Sequence, residues 1–144
     1  MNRKVIVIII LLLVNFVNIV SPEVKRSSIN LDFIKDSKEV LATYYNAVPN
    51  QCSGNHLITA DGSRINKSKL KSGKIRWVAV SRDLRSKYKY GSKIYVYSSN
   101  KNLRGVWEVH DTMNKKYKNR IDFLFHESEK NPIIKPEKIL IKKI

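Results

Sequence analysis

Two aspartates bracket the stretch best suited to chemistry. Asp111 closes an apolar run, Gly105-Val-Trp-Glu-Val109, and Asp122 sits at the start of another, Ile121 to Phe125, with a polar, lysine-rich segment between them. If the two runs are neighbouring strands, the carboxylates face each other across the base of a hairpin-like turn, where opposed residues have Cα atoms about 5 Å apart. Two carboxylates held that close do not both ionise easily, so one pKa rises. The result is a carboxylic acid able to donate a proton near neutral pH. Asp111-Thr112 also has a plainer reading as a turn, because short polar side chains cap backbone amides at strand ends.

Other reactive side chains offer less. His110 and His126 flank the two aspartates, but no third ligand stands at useful spacing, so no metal is expected. No GxGxxG, Walker A, HExxH or CxxC pattern appears, and no cofactor is expected. Cys52 is the only cysteine, which rules out an intramolecular disulfide and reads as a small, partly buried side chain. Tyr44, Tyr45, Trp77 and Trp107 offer faces to a sugar ring or else fill a core. Trp107 has the strand parity of Asp111 and is expected to line the same face. The segment Lys115-Lys116-Tyr117-Lys118 lies between the acids, suited to carboxylates on a ligand or simply solvated.

The elements that must position these residues are short. Residues 41–48, LATYYNAV, read as a strand ended by Pro49-Asn50, and residues 51–55 as a loop. His56 to Ala60 is a brief apolar run before an Asp61-Gly62 turn, and residues 63–74 are basic and polar. Ile75 to Val80, Lys93 to Tyr97, Leu103 to Val109, Ile121 to Phe125 and Lys138 to Lys142 give further strands. Ser81 reads as an N-cap for a helical turn or two over residues 82–88. Six short strands with one short helix predict a mainly β domain, a small barrel or sandwich rather than a parallel α/β sheet.

The chain has 144 residues, enough for one domain, with a formal net charge of +16 and a pI near 10.0. Such a charge calls for a polyanion: nucleic acid, anionic lipid or a cell-wall polymer. The N-terminus favours the envelope. A basic start (Arg3, Lys4) precedes the unbroken apolar run Val5 to Val14, extended by Phe16 to Val20, as in a secretory signal or uncleaved anchor. The expected division is a signal peptide or membrane anchor over 1–21, a linker over 22–40 and a folded domain over 41–144. Localisation is then the periplasm or cell envelope, held at the inner membrane if the segment is retained. Nucleic acid is not expected, since there is neither a basic helix nor an RNP-like motif.

From Leu41 onward the order of features resembles the 3D (three-aspartate) domain, a double-psi β-barrel found in membrane-bound lytic transglycosylase A and related to rare lipoprotein A. The resemblance rests on Ala42-Thr-Tyr-Tyr45, Thr59-Ala-Asp-Gly62, Val78-Ala-Val-Ser81, Gly91-Ser-Lys-Ile94, and Asp111-Thr112 through Arg120-Ile-Asp122. Two departures stand out. Met113 to Lys118 replaces a glycine-rich segment, and Ser81 occupies the place of the first aspartate, for which Asp83 is the nearest substitute. The resemblance implies a six-stranded double-psi barrel acting on peptidoglycan. It implies Asp122 as general acid/base of a lytic transglycosylase that cleaves the bond between muramic acid and glucosamine, with Asp111 and Asp83 completing the acids. Substrate contacts are then expected from Tyr44, Thr59, Trp107, Thr112 and Lys118. The alternative is a wall-binding barrel without chemistry, which the missing aspartate and glycines favour.

Overall fold

The computed structural model describes residues 35–144 apart from 53 and 131. The expected export segment and the linker as far as residue 34 lie outside the described residues. Six strands form the domain: β1 (Lys38–Asn46), β2 (Trp77–Val80), β3 (Lys93–Tyr97), β4 (Gly105–Thr112), β5 (Arg120–Phe125) and β6 (Glu137–Lys143). They close into a barrel in the order β1-β5-β2-β4-β3-β6. The pairs β1·β5 and β2·β4 are parallel and the other four antiparallel, the arrangement of a double-psi barrel. Only β3 and β4 are neighbours both in sequence and in the barrel.

Alternation decides what faces inward. Successive strand side chains point to opposite faces, and the inward set is apolar on every strand: Val40 and Ala42, Val78 and Val80, Ile94 and Val96, Trp107 and Val109, Ile121 and Phe123, Ile139 and Ile141. Trp107 fills the centre, edge-on to Phe123 at 4.7 Å and to Phe125 at 5.6 Å between ring centroids. A second apolar cluster lies on the outer side of β1, β5 and β2. There Tyr45, Leu124 and Ala79 pack with Ile65, Leu70 and Met113.

Several local expectations are revised. β1 begins at Lys38, inside the segment read as linker. A short α-helix, α1 (Lys67–Lys71), forms in the basic stretch 63–74, where the Asn66 side chain accepts from Lys69 N and Leu70 is the buried residue. After β2 the chain makes only a 3₁₀ turn, Arg82–Leu84, and Ser81 does not cap it. The Ser81 hydroxyl accepts instead from Arg120 N at 3.0 Å, tying the end of β2 to the start of β5. The two strands that carry Asp111 and Asp122 are not neighbours, because β2 lies between them.

Candidate functional site

Both aspartates reach the outer face of β2, by different routes. On β5, Ile121 and Phe123 are buried in the barrel, so alternation turns Asp122 outward. On β4, Trp107 and Val109 point inward, and strict alternation would send Asp111 inward with them. The β2–β4 ladder slips between Val78 and Ala79: Val78 pairs with Val109, but Ala79 pairs with Asp111. His110 is thus the extra residue of a β-bulge, and a bulge re-aims the side chains that follow it. Asp111 comes out on the face of Ala79, while Trp107 stays in the core at 2% exposure. The parity linking Trp107 to Asp111 is broken at this bulge.

Ala79 pairs with Asp122 on one side and Asp111 on the other. The two acids therefore flank it from the adjoining strands. At normal strand spacing their Cα atoms stand about 10 Å apart, not about 5 Å. Alanine leaves an open space between them. This is the floor of a cleft of about 580 Å³ whose walls include Tyr45, Cys52, His56, Ile58, Thr59, Thr112, Asn114 and Tyr117. Its lining mixes amides, hydroxyls and an imidazole with a few apolar groups.

The two carboxyls have different surroundings. Asp122 accepts a 2.7 Å hydrogen bond from the Thr43 hydroxyl, its cross-strand partner on β1. Its pKa is pushed up to about 6. Burial is the main cause, against the Thr43 hydrogen bond and the Arg120 guanidinium, which lower it, while Asp111 adds the smallest upward push. Like-charge repulsion is thus a minor contributor, as expected for carboxyls this far apart. Asp111 is heavily hydrogen-bonded. Its Oδ1 accepts from Ala60 N at 3.0 Å and Thr112 N at 2.8 Å, and its Oδ2 from the Tyr45 hydroxyl at 3.1 Å. Burial and the Asp111 charge hold the Tyr45 phenol well above its ordinary pKa, so it remains a donor. Asp111 accordingly ties together β1, β4 and the loop before α1, and Asp122 is the carboxyl whose pKa burial raises toward neutrality.

The remaining sequence-derived candidates divide between cleft and elsewhere. Thr59 and Thr112 line the cleft. Thr59 Oγ1 donates to Asp61 at 2.7 Å, and Thr112 Oγ1 lies 2.7 Å from the Tyr90 hydroxyl. Tyr44 packs against the barrel core, edge-on to Phe125 at 6.3 Å, because on β1 it has the opposite parity to Tyr45. Asp83 sits in the 3₁₀ turn and accepts from Asn119 N at 2.9 Å. Burial works against its charge, but the Asn119 amide and Ser81 hydroxyl hold its pKa below the usual range. It does not line the cleft, and the exposed Lys118 acts electrostatically on Asp83. Three acids therefore do not converge. Cys52 is half-buried in the cleft wall, 3.6 Å from the Asn46 carbonyl, and burial raises its pKa. Among the described residues no group of three His, Cys, Asp or Glu side chains is placed to hold a metal ion.

Sequence reasoning missed Thr43, Ala79 and the Ala60 amide. Thr43 was legible in principle, since alternation through the buried Val40 and Ala42 turns it outward. Ala79 carries a direct prediction. Ala79→Leu fills the space between the acids and should weaken binding of any cleft ligand by about tenfold or more, with a modest overpacking cost of about 1–2 kcal/mol. Titration calorimetry beside a melting curve checks this, and unchanged affinity would remove Ala79 from the binding surface.

No family model matches the sequence, nor does any curated protein sequence. Among solved structures, the fold is similar to that of the apo expansin of Clavibacter michiganensis, with a TM-score of 0.50, 14% identity, and coverage of 75% of this chain and 50% of that one. It is also similar to an aspartate-to-asparagine variant of that expansin in complex with cellohexaose, with a TM-score of 0.51, 13% identity, and coverage of 75% and 50%. The chain spans about half the length of these solved structures. At such identity the likeness is one of fold.

Proposed function

We propose that the cleft over Ala79 binds a strand of cell-wall polysaccharide. The observation that carries this reading is the cleft itself: an open groove of about 580 Å³, floored by Ala79 between two carboxyls and walled by amides and hydroxyls. A sugar hydroxyl is both donor and acceptor, and such a mixed lining meets it in both roles. The expansin whose fold is similar over about half its length is in complex with cellohexaose, which lends support to a glycan ligand. The net charge of +16 and the exposed Lys115, Lys116 and Lys118 beside the cleft favour an anionic wall polymer. Peptidoglycan has that chemistry, with lactyl and peptide-stem carboxylates along the glycan, and it is the substrate the 3D-domain resemblance implies. An exported protein, delivered by the apolar N-terminal segment, would meet it in the envelope.

A second reading, lytic transglycosylase activity, is favoured by the raised pKa of Asp122. In that reaction Asp122 gives its proton to the glycosidic oxygen as the bond to C1 of muramic acid breaks. The resulting carboxylate then takes the proton of the muramic C6 hydroxyl as that oxygen bonds to C1, which closes a 1,6-anhydro ring and restores the acid. One acid suffices for this cycle, so neither Asp83 nor a water-activating base is required.

Incubating the full chain with insoluble peptidoglycan separates the two. Retention on the polymer without anhydromuropeptides supports a binding module, and anhydromuropeptides that vanish in Asp122→Ala support the enzyme. Failure to be retained on peptidoglycan or cellulose at low salt would overturn both. Replacing Lys115, Lys116 and Lys118 together by glutamine should weaken retention about tenfold at low ionic strength and little at 1 M salt, because exposed charges are screened there. Equal loss at both salt concentrations would argue against an electrostatic role for these lysines.

A further inference from the structure

We propose that His110 is a positioning residue which, with Asp61, clasps the loop of residues 57–65 to β4 and so fixes one wall of the cleft. The loop supplies Ile58, Thr59 and Ala60 to that wall. It has little regular structure of its own beyond an isolated bridge between Ile58 and Arg64 and a turn at Gly62, whose φ of +87° suits glycine. Leu57 and Ile65 seat its two ends in the outer apolar cluster, and its tip is attached through the bulge. Asp61 Oδ2 lies 2.7 Å from His110 Nδ1, Ser63 Oγ lies 3.2 Å from the same nitrogen, and Asp61 N donates to the His110 carbonyl at 3.2 Å.

The chemistry assigns the proton. A carboxylate is acceptor-only, so Nδ1 carries the hydrogen and donates it to Asp61. Burial works against the Asp61 charge, yet hydrogen bonds from Thr59, Ser63 and His110 hold its pKa below the usual carboxylate range. The imidazole is fixed from its face as well, against the Trp77 ring at 4.1 Å between centroids. Glu108 Oε2 stands 3.5 Å from Nε2 without hydrogen-bonding it.

The bulge thus has two products. It turns Asp111 to the cleft floor, and it frees His110 from the ladder to hold the loop whose next amide, Ala60 N, binds Asp111. Without the clasp, that amide and the wall lose their fixed place over the floor.

The test compares His110→Ala, His110→Asn and His110→Gln in the full chain. Asparagine places its amide nitrogen near the position of Nδ1, and glutamine near that of Nε2, so only the first can restore the donor to Asp61. Amide hydrogen exchange at Ala60 and Asp61 reads the clasp directly. Affinity for soluble, uncross-linked peptidoglycan glycan strands reads its consequence, and this arm rests on the glycan reading above. Exchange should quicken and affinity weaken by about tenfold in His110→Ala and His110→Gln, while His110→Asn stays within about twofold of wild type. If His110→Asn is as impaired as His110→Gln, or if exchange at Ala60 is unmoved in all three variants, the clasp is refuted. Should His110→Ala fail to fold, the asparagine–glutamine contrast decides. If the wild-type chain binds no glycan strands, the glycan reading falls, and the exchange contrast still decides the clasp.

Discussion

Asp111→Ala is expected to lower stability by about 3 kcal/mol and to reduce glycan retention to background. The substitution removes the acceptor for Ala60 N, Thr112 N and the Tyr45 hydroxyl. Water can replace it at the exposed Ala60 amide, but the largely buried Tyr45, 8% exposed, loses the charged acceptor of its hydroxyl. Hydrogen bonds to a charged acceptor contribute about 1.5–3 kcal/mol each and do not sum when they share one carboxylate. Asp111→Asn retains the Oδ1 acceptor for both amides, and the tyrosine hydroxyl can turn to accept from the new amide nitrogen. That variant should cost about 1 kcal/mol and keep most of the binding. Urea denaturation of both variants checks the order. Equal losses, or a loss under about 1 kcal/mol for alanine, would mean that Asp111 does not tie the loop to the barrel.

Asp122→Asn should have the opposite sign, raising stability at neutral pH while abolishing any turnover. The folded-state pKa of about 6 lies above the ordinary carboxylate value. Below pH of about 4 the group is protonated in both folded and unfolded chains and contributes nothing. Between there and pH 6 the unfolded chain ionises first while the folded site keeps its proton, so stability falls as pH rises. Above pH 6 the folded site must hold a buried charge, and the full penalty remains. Asparagine removes that charge and still accepts from Thr43, for a gain of about 2 kcal/mol above pH 7 that vanishes near pH 4. Melting temperatures of both proteins from pH 4 to 8 would trace this difference. A gap independent of pH, or one that widens toward acid, would show that Asp122 is not the buried titrating group. A site that lowers stability for the sake of a protonatable acid is a common feature of functional clefts.

How much of this was legible depended on whether local pattern or distant pairing was responsible. β3 alternates over Lys93 to Tyr97 and was read to its ends, because alternation is a local signal. The outward turn of Asp122 follows in the same way from buried neighbours on either side. The bulge at His110 left no such mark, since no glycine or proline accompanies it, and the parity argument for Trp107 failed there. The placement of β2 between β4 and β5 is a matter of long-range pairing, which neither run encodes, so the acids were expected on adjacent strands. α1 leaves no period in the sequence, because Leu70 is its one buried residue. Tyr44 and Tyr45 lie on opposite faces of β1, and the small apolar Ala42, which shares the parity of Tyr44, is the residue that marks the inward face. The ordered motifs did identify a closed six-stranded barrel, since they report spacing between elements that single strands cannot.

The most direct test of the cleft as a glycan site is a backbone amide NMR titration of the full chain with soluble peptidoglycan glycan strands. The expected result is a set of shift changes confined to Ala60, Ala79, Asp111, Thr112 and Asp122 and their neighbours, with the outer face of β3 and β6 unchanged. Changes centred on β3 and β6, or none at all at saturating glycan, would contradict it.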